Sequence, residues 1–217
     1  MTGFSWDWNF AWEIAPYLLE GLKVTVAATF CGTVLALVLG LVLTILRLAE
    51  IPVASRALDL IVQFLRGTPF LIQLYFLFYA LPQYGIVLPP FLTGVIGLGL
   101  FYGALASEIY RAGIENVARG QWEACLSLGL PVRWVWTGVI LPQAVRSVVP
   151  ILSNIVIAMF KDSALLSVIT VHELLGNARD VAQMEYRFIE PLTMAAAFYL
   201  VVSYLSFQGI RKLEARR

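Results

Sequence analysis

The chain has 217 residues, of which 60% are hydrophobic and only 13% charged, with a formal net charge of +1. Soluble domains carry about 25% charged residues, so this one lacks the polar surface to stay in water and reads as an integral membrane protein. The near-neutral balance leaves no footprint for nucleic acid, and two cysteines, Cys31 and Cys125, make neither a disulfide framework nor a metal site.

The chain opens on FSWDWNFAWEI, rich in Trp and Phe with two acids, which suits a short interfacial helix. No Lys or Arg precedes Lys23, so a cleavable signal peptide is not expected. Val24 to Leu46 is 23 residues without a charge, about 34 Å as a helix and enough to cross a bilayer. Gly67 to Ser107 is charge-free for 41 residues, roughly twice the required length. The interruption LPQYGIVLPP, Leu81 to Pro90, divides it. The expected architecture is one all-α membrane domain over 1–217, with five spans near 22–46, 60–81, 91–107, 143–161 and 191–210. Pro191 suits the first turn of the last span. Gly94, Gly97 and Gly99 lack a strand–turn–helix context and suit close helix packing.

Charge placement orients these spans. The segments 47–66, 111–146 and 211–217 hold eleven Lys/Arg, against four (Lys23, Lys161, Arg179, Arg187) on the opposite side. The basic excess belongs in the cytoplasm, so the N-terminus is expected outside and the C-terminus inside.

Between spans three and four lies GQWEACLSLGLPVRWVWTGVILPQ, within a loop of 119–142. It reads as two short helices. Gly129 takes the left-handed conformation that ends the first, Pro131 sits in the first turn of the second, and Pro142 ends the element. Trp122, Cys125 and Leu126 share a face of the first helix. Val132, Val135, Trp136, Val139 and Ile140 form an apolar stripe on the second. Such a ridge needs a cover. Either it packs beneath its own bundle or on the lipid, or it docks a cytosolic partner through Trp122, Trp134 or Trp136.

Glu123, Ala124, Cys125, Gly129, Ile140, Leu141 and Pro142 follow E-A-C-x-x-x-G, then I-L-P after ten residues. This resembles the EAA loop of permease subunits of ABC importers, with Cys125 where that family usually has alanine. FLRGTPFLIQLYFLFYALP, SEIYRAGIENVARGQWEA, ILPQAVRSVVP and FKDSALLSVI, in that order, resemble blocks of the polar amino-acid uptake branch and together hold 58 of the 217 residues. Ser163-Ala164 departs from its usual K-D-T-S-L.

The resemblance implies a type I importer permease fold and a loop that enters a groove on a separate ATPase subunit. Arg119, Glu123 and Arg133 would contact the ATPase, with Gly129 permitting the bend. Trp122, Ala124, Cys125, Trp136 and Pro142 would complete that coupling element. It also implies a second permease copy or sister, an extracytoplasmic solute-binding protein and a small polar substrate carried across the bacterial inner membrane. The opening WDWNFAWEIAPYLLEGLKVT is similar to ectoine and hydroxyectoine permeases, a second reading of the substrate.

The chain carries no G-x-x-x-x-G-K-[ST] and no plausible catalytic set, so it is expected to be no enzyme and to hold no cofactor or metal. His172, the one histidine, reads as a structural or surface group. Ionisable groups at membrane depth point to function. Arg66 either snorkels or belongs to a bend in which Gly67 and Pro69 loosen the helix and Thr68 caps freed backbone groups. Lys161 beside Asp162 suits a zwitterion, carboxylate to lysine and ammonium to aspartate. Asn154, two turns before Lys161, and Gln73 are further polar candidates for the substrate path, although Gln73 equally suits a helix–helix hydrogen bond. A self-sufficient secondary transporter or channel is the rival class. It predicts an internal repeat with matching broken helices. A membrane scaffold is another.

Overall fold

The computed structural model describes residues 6–49 and 51–214 and is helical throughout. In chain order it contains α1 (Trp8–Leu48), α2 (Pro52–Gly67), α3 (Phe70–Tyr75), α4 (Pro90–Glu115), α5 (Arg119–Ser127), α6 (Val132–Trp134), α7 (Leu141–Asp162), α8 (Leu174–Met184) and α9 (Ile189–Glu214). Four stretches are long and apolar enough to cross a membrane, Trp8–Leu48, Pro90–Glu115, Val132–Ile169 and Ile189–Lys212. Counting the broken pair α2–α3 as one span gives five.

Two expectations are corrected. The aromatic N-terminal stretch is no separate helix, because α1 runs unbroken from Trp8. Pro16 lies within it, in the third turn, where it removes the ladder bond to the Trp12 carbonyl and crowds that carbonyl without ending the helix.

The second span, expected near 60–81, is broken at the bend that Gly67 and Pro69 suggested. Amphipathic α2 stops at Gly67, and α3 restarts after Pro69. Thr68 closes the break, since both its N–H (3.1 Å) and its Oγ1 (2.9 Å) donate to the Phe64 carbonyl. α3 then widens into a π-type stretch over Phe76–Ala80, and Gly85 at φ +81° turns the chain out of the helix.

Pro142 does not end the loop's second helix. A π-type turn over Val135–Ile140 joins α6 to α7. Proline has no N–H to donate and its ring crowds the carbonyl one turn back. The widened turn absorbs both, and the helix continues.

The chain forms two compact units. One comprises 1–33, 69–98 and 157–217, the other 34–68 and 99–156. In the first, Ile14 and Leu18 of α1 pack on Leu174 and Ala178 of α8 and Ala195 of α9. There Gly94 and Gly97 let Leu166 and Leu74 approach to where a Cβ would meet them at 2.8 and 2.7 Å. In the second, Leu43, Val62 and Ala104 join α1, α2 and α4. Gly40 lies so close to α4 that a Cβ would stand 2.8 Å from that of Ala106, and Gly99 admits Leu35 in the same way. Small residues thus set the helix spacing, as expected of a membrane bundle.

Candidate functional site

The loop over 119–142 folds as a helical hairpin on a packed base. After α5, the Gly129 N–H reaches the Leu126 carbonyl (3.0 Å) and the Leu130 N–H reaches that of Cys125 (3.1 Å). With Gly129 at φ +62°, this pair of bonds is a Schellman cap, the left-handed ending expected of that glycine. Pro131 is the residue before α6, not within its first turn, and accepts from Trp134 N–H at 2.8 Å.

The hairpin's inner face is apolar. Val117, Ile140 and Ala144 are buried, and Ile114, Trp122, Val135, Trp136 and Val139 pack on them. Trp122 meets Trp136 edge to face, with centroids 5.4 Å apart, a favoured aromatic arrangement. Cys125 is buried. The stripe is therefore largely covered from within its own subunit, with Trp122 and Trp136 packed into the hairpin's base. Leu126 is corrected too: it is 79% exposed, turned from the face it was expected to share with Trp122 and Cys125.

What remains outside is the tip. Leu128 (73% exposed), Val132 (72%) and Trp134 (64%) stand around Gly129, a cluster with no cover of its own. Arg119, Glu123, Ala124 and Arg133 are exposed beside it. Among the described residues these three charges make no ion pair, so their heads are available to a partner.

A second constellation was quoted in the sequence but not singled out. Glu108 of α4 binds Arg47 (2.6 Å) and Arg111 (2.9 Å), with Arg66 at 3.5 Å. Arg47 also holds Asp59 of α2 at 2.6 Å, and Arg111 holds Glu115 at 2.8 Å. One carboxylate thereby ties α1, α2 and α4. Arg66, one of the residues named for the substrate path, is part of this network. The sequence signal was the spacing Glu108, Arg111, Glu115 at i, i+3 and i+7. The Arg47 partner, 61 positions away, carried none.

A third group was missed altogether. Glu173, fully buried, caps α8 by accepting from Gly176 N–H (2.7 Å) and Leu175 N–H (3.0 Å). The Tyr199 hydroxyl of α9 donates to it at 2.6 Å and the Thr25 hydroxyl of α1 at 3.2 Å. Burial pushes its carboxyl pKa up, and these four hydrogen bonds pull it back. The carboxylate is satisfied, so it holds three helices without an orphaned charge.

The other substrate-path candidates lie on α3 and α7. Gln73 is buried on α3, and Lys161 is exposed near the end of α7 with Asp162 half-buried beside it. Asn154 is exposed on the same helix.

Residues 32–217 match the family described as the binding-protein-dependent transport system inner membrane component. A probable amino-acid ABC transporter permease protein, y4tG of Sinorhizobium fredii, is 41% identical over 99% of this chain and 95% of its own. The arginine transport system permease protein ArtQ of Bacillus subtilis is 33% identical over 89% of this chain and 90% of its own. Among solved structures, an amino acid ABC transporter crystallised with histidines matches at TM-score 0.94 and 32% identity, covering 99% of this chain and all of the other. The MetNI methionine ABC transporter shares the fold at TM-score 0.78 and 18% identity, over 94% and 97% of the two chains. An all-helical bundle of membrane-crossing length, a helical hairpin between its spans and these relatives together identify the chain as a multi-pass, non-enzymatic permease subunit of the binding-protein-dependent transport family, in its amino-acid ABC transporter branch.

Proposed function

We propose that this permease forms half of an ATP-driven amino-acid import path and that the α5–α6 hairpin couples it to a separate ATPase. The observation that carries the reading is the split between the hairpin's two faces. Trp122, Cys125, Trp136 and Ile140 fix its base, while Leu128, Val132 and Trp134 project uncovered around the Gly129 cap. A rigid wedge with a desolvating tip transmits displacement, whereas a mobile one would absorb it. Arg119, Glu123 and Arg133 rim the tip and orient docking. The segments assigned to the hairpin's side of the membrane, 47–66, 111–146 and 211–217, hold eleven of the fifteen Lys/Arg, which supports a cytoplasmic tip, an external N-terminus and an internal C-terminus.

One hairpin and one bundle per chain make a half-pore, so a second permease completes the path, and an extracytoplasmic binding protein delivers the solute. Polar amino acids are the substrate class. ArtQ carries arginine in its name, and y4tG is named for amino acids, while the ectoine reading gains no support from these relatives. Asp162, Lys161 and Asn154 on α7 and Gln73 on α3 are assigned to the substrate, with Asp162 facing its ammonium and Lys161 its carboxylate.

The test is uptake into proteoliposomes reconstituted with permease, ATPase and binding protein. Trp134→Ala lowers ATP-coupled uptake roughly ten-fold or more, the size of an interface anchor's loss. Unchanged uptake, or uptake that persists without the ATPase, overturns the proposal.

A further inference from the structure

The segment before and along α8 carries a cavity that neither the coupling hairpin nor the substrate path uses. It has a volume of about 270 Å³ and is lined by Thr170, His172, Gly176, Arg179, Asp180 and Gln183, among others. Its walls are fixed. On one side the chain turns at Thr170, which holds the left-handed conformation (φ +62°), its N–H bonded to the Ser167 carbonyl at 3.3 Å. On the other side stands α8, whose first turn is pinned by buried Glu173. The Asn177 side-chain amide ties the helix to the Tyr17 carbonyl at 2.8 Å. Gly176 brings the walls together, since a Cβ there would stand 2.7 Å from the Val171 carbonyl oxygen. Gly176, Arg179, Asp180 and Gln183 follow helical spacing, so one stripe of α8 faces the cavity.

The charges along that stripe differ in how they are engaged. The Asp180 carboxylate is taken by His172 Nδ1 at 2.9 Å. Arg179 is exposed and, among the described residues, makes no ion pair. An arginine on a rigid helix, beside a carboxylate already engaged, presents a preorganised fork of donors. The group that fits a fork is a carboxylate, held by two parallel N–H···O bonds, with the Gln183 amide one turn further on to extend the contact. In the proposed topology this segment lies on the face opposite the coupling hairpin, where Lys161, Arg179 and Arg187 fall.

We propose that the cavity is a socket in which Arg179 receives an Asp or Glu side chain of the extracytoplasmic binding protein, so that α8 is part of the receptor-docking surface. This rests on the proposed orientation and import role. A docked carboxylate would be held by a helix that Glu173 fastens to both α1 and α9.

The test is ATP hydrolysis by the permease–ATPase complex in lipid, titrated with the cognate binding protein. Arg179→Glu raises the half-saturating receptor concentration roughly ten-fold without changing the plateau. The difference shrinks at high ionic strength, and Arg179→Lys restores part of it. Arg179→Glu curves that superimpose on the wild type overturn the proposal, as does a lowered plateau at unchanged half-saturation. A second arm measures binding of labelled L-glutamine to the complex without receptor. Loss of that binding in Arg179→Glu would assign the carboxylate to a free amino acid and overturn the receptor socket. If the wild type gives no receptor-stimulated hydrolysis at all, the import role itself has failed, an outcome distinct from failure of the socket.

Discussion

At the Gly129 turn, apolar side chains stand outside and a cysteine and two tryptophans are turned in. At the start of α8 the order is inverted, with a carboxylate sealed inside and arginine, glutamine and histidine left at the surface. Each arrangement is costly for an isolated chain, because uncovered Leu and Trp raise the free energy in water and a buried carboxylate raises it in protein. The carboxylate is compensated locally by four hydrogen bonds, so its role is to fasten helices. The tip has no such compensation within its own subunit, and the proposed ATPase contact would supply it.

Breaking the fastened region is expected to cost the most stability. Glu173→Ala leaves the Tyr199 hydroxyl and two α8 N–H groups without their acceptor, while the Thr25 hydroxyl keeps the Gly21 carbonyl at 3.2 Å. At about 1–3 kcal/mol for each buried unsatisfied group, a loss of about 3 kcal/mol or more is expected. Thermal unfolding in detergent checks it, and a Tm unchanged from the wild type would remove Glu173 from its fastening role. Glu108→Ala strips three arginines of a shared acceptor and is expected to cost about 3 kcal/mol by the same assay. Arg66→Ala, which removes only the long and half-exposed arm, should stay within about 1 kcal/mol.

Gly129→Val sharpens the contrast. A Cβ at Gly129 meets no atom within 4 Å, so a bulky side chain does not clash. It is the left-handed backbone that resists, by roughly 1–2 kcal/mol, displacing the tip while the Trp122–Trp136 base stays packed. The expected result is a small Tm shift with a large loss of ATP-coupled uptake. A large loss of both would mean that the turn serves folding alone.

The smallest effect is in pH. The folded-state pKa of Glu173 lies above its ordinary value near 4.5. The pH-dependent part of its contribution is therefore fully present below that value and is lost as pH rises through the raised folded pKa, while the hydrogen bonds that fasten α8 remain. Wild-type stability is expected to fall slightly over that window, and Glu173→Gln to flatten the slope. A slope that persists in Glu173→Gln belongs to another group.

Sequence reading succeeded where information is local. Charge-free runs marked the spans, Gly129 the left-handed cap, and Thr68 the helix break that its hydroxyl now closes. It failed where chemistry depends on distant partners. Nothing near Glu173 announces Thr25, 148 positions earlier, and nothing near Arg47 announces Glu108. Pro142 misled because proline read alone means termination, and only a π-type turn upstream lets the helix run on. The face of Leu126 misled because helical spacing alone does not say where the packed neighbour stands.

The most direct test of the account is the sidedness of the tip. Trp134→Cys is introduced on a Cys31→Ala background, leaving the buried Cys125 as the other thiol, and a membrane-impermeant maleimide is applied to oriented vesicles. The account predicts labelling in inside-out vesicles, with protection when the ATPase is bound. Labelling in right-side-out vesicles would contradict it.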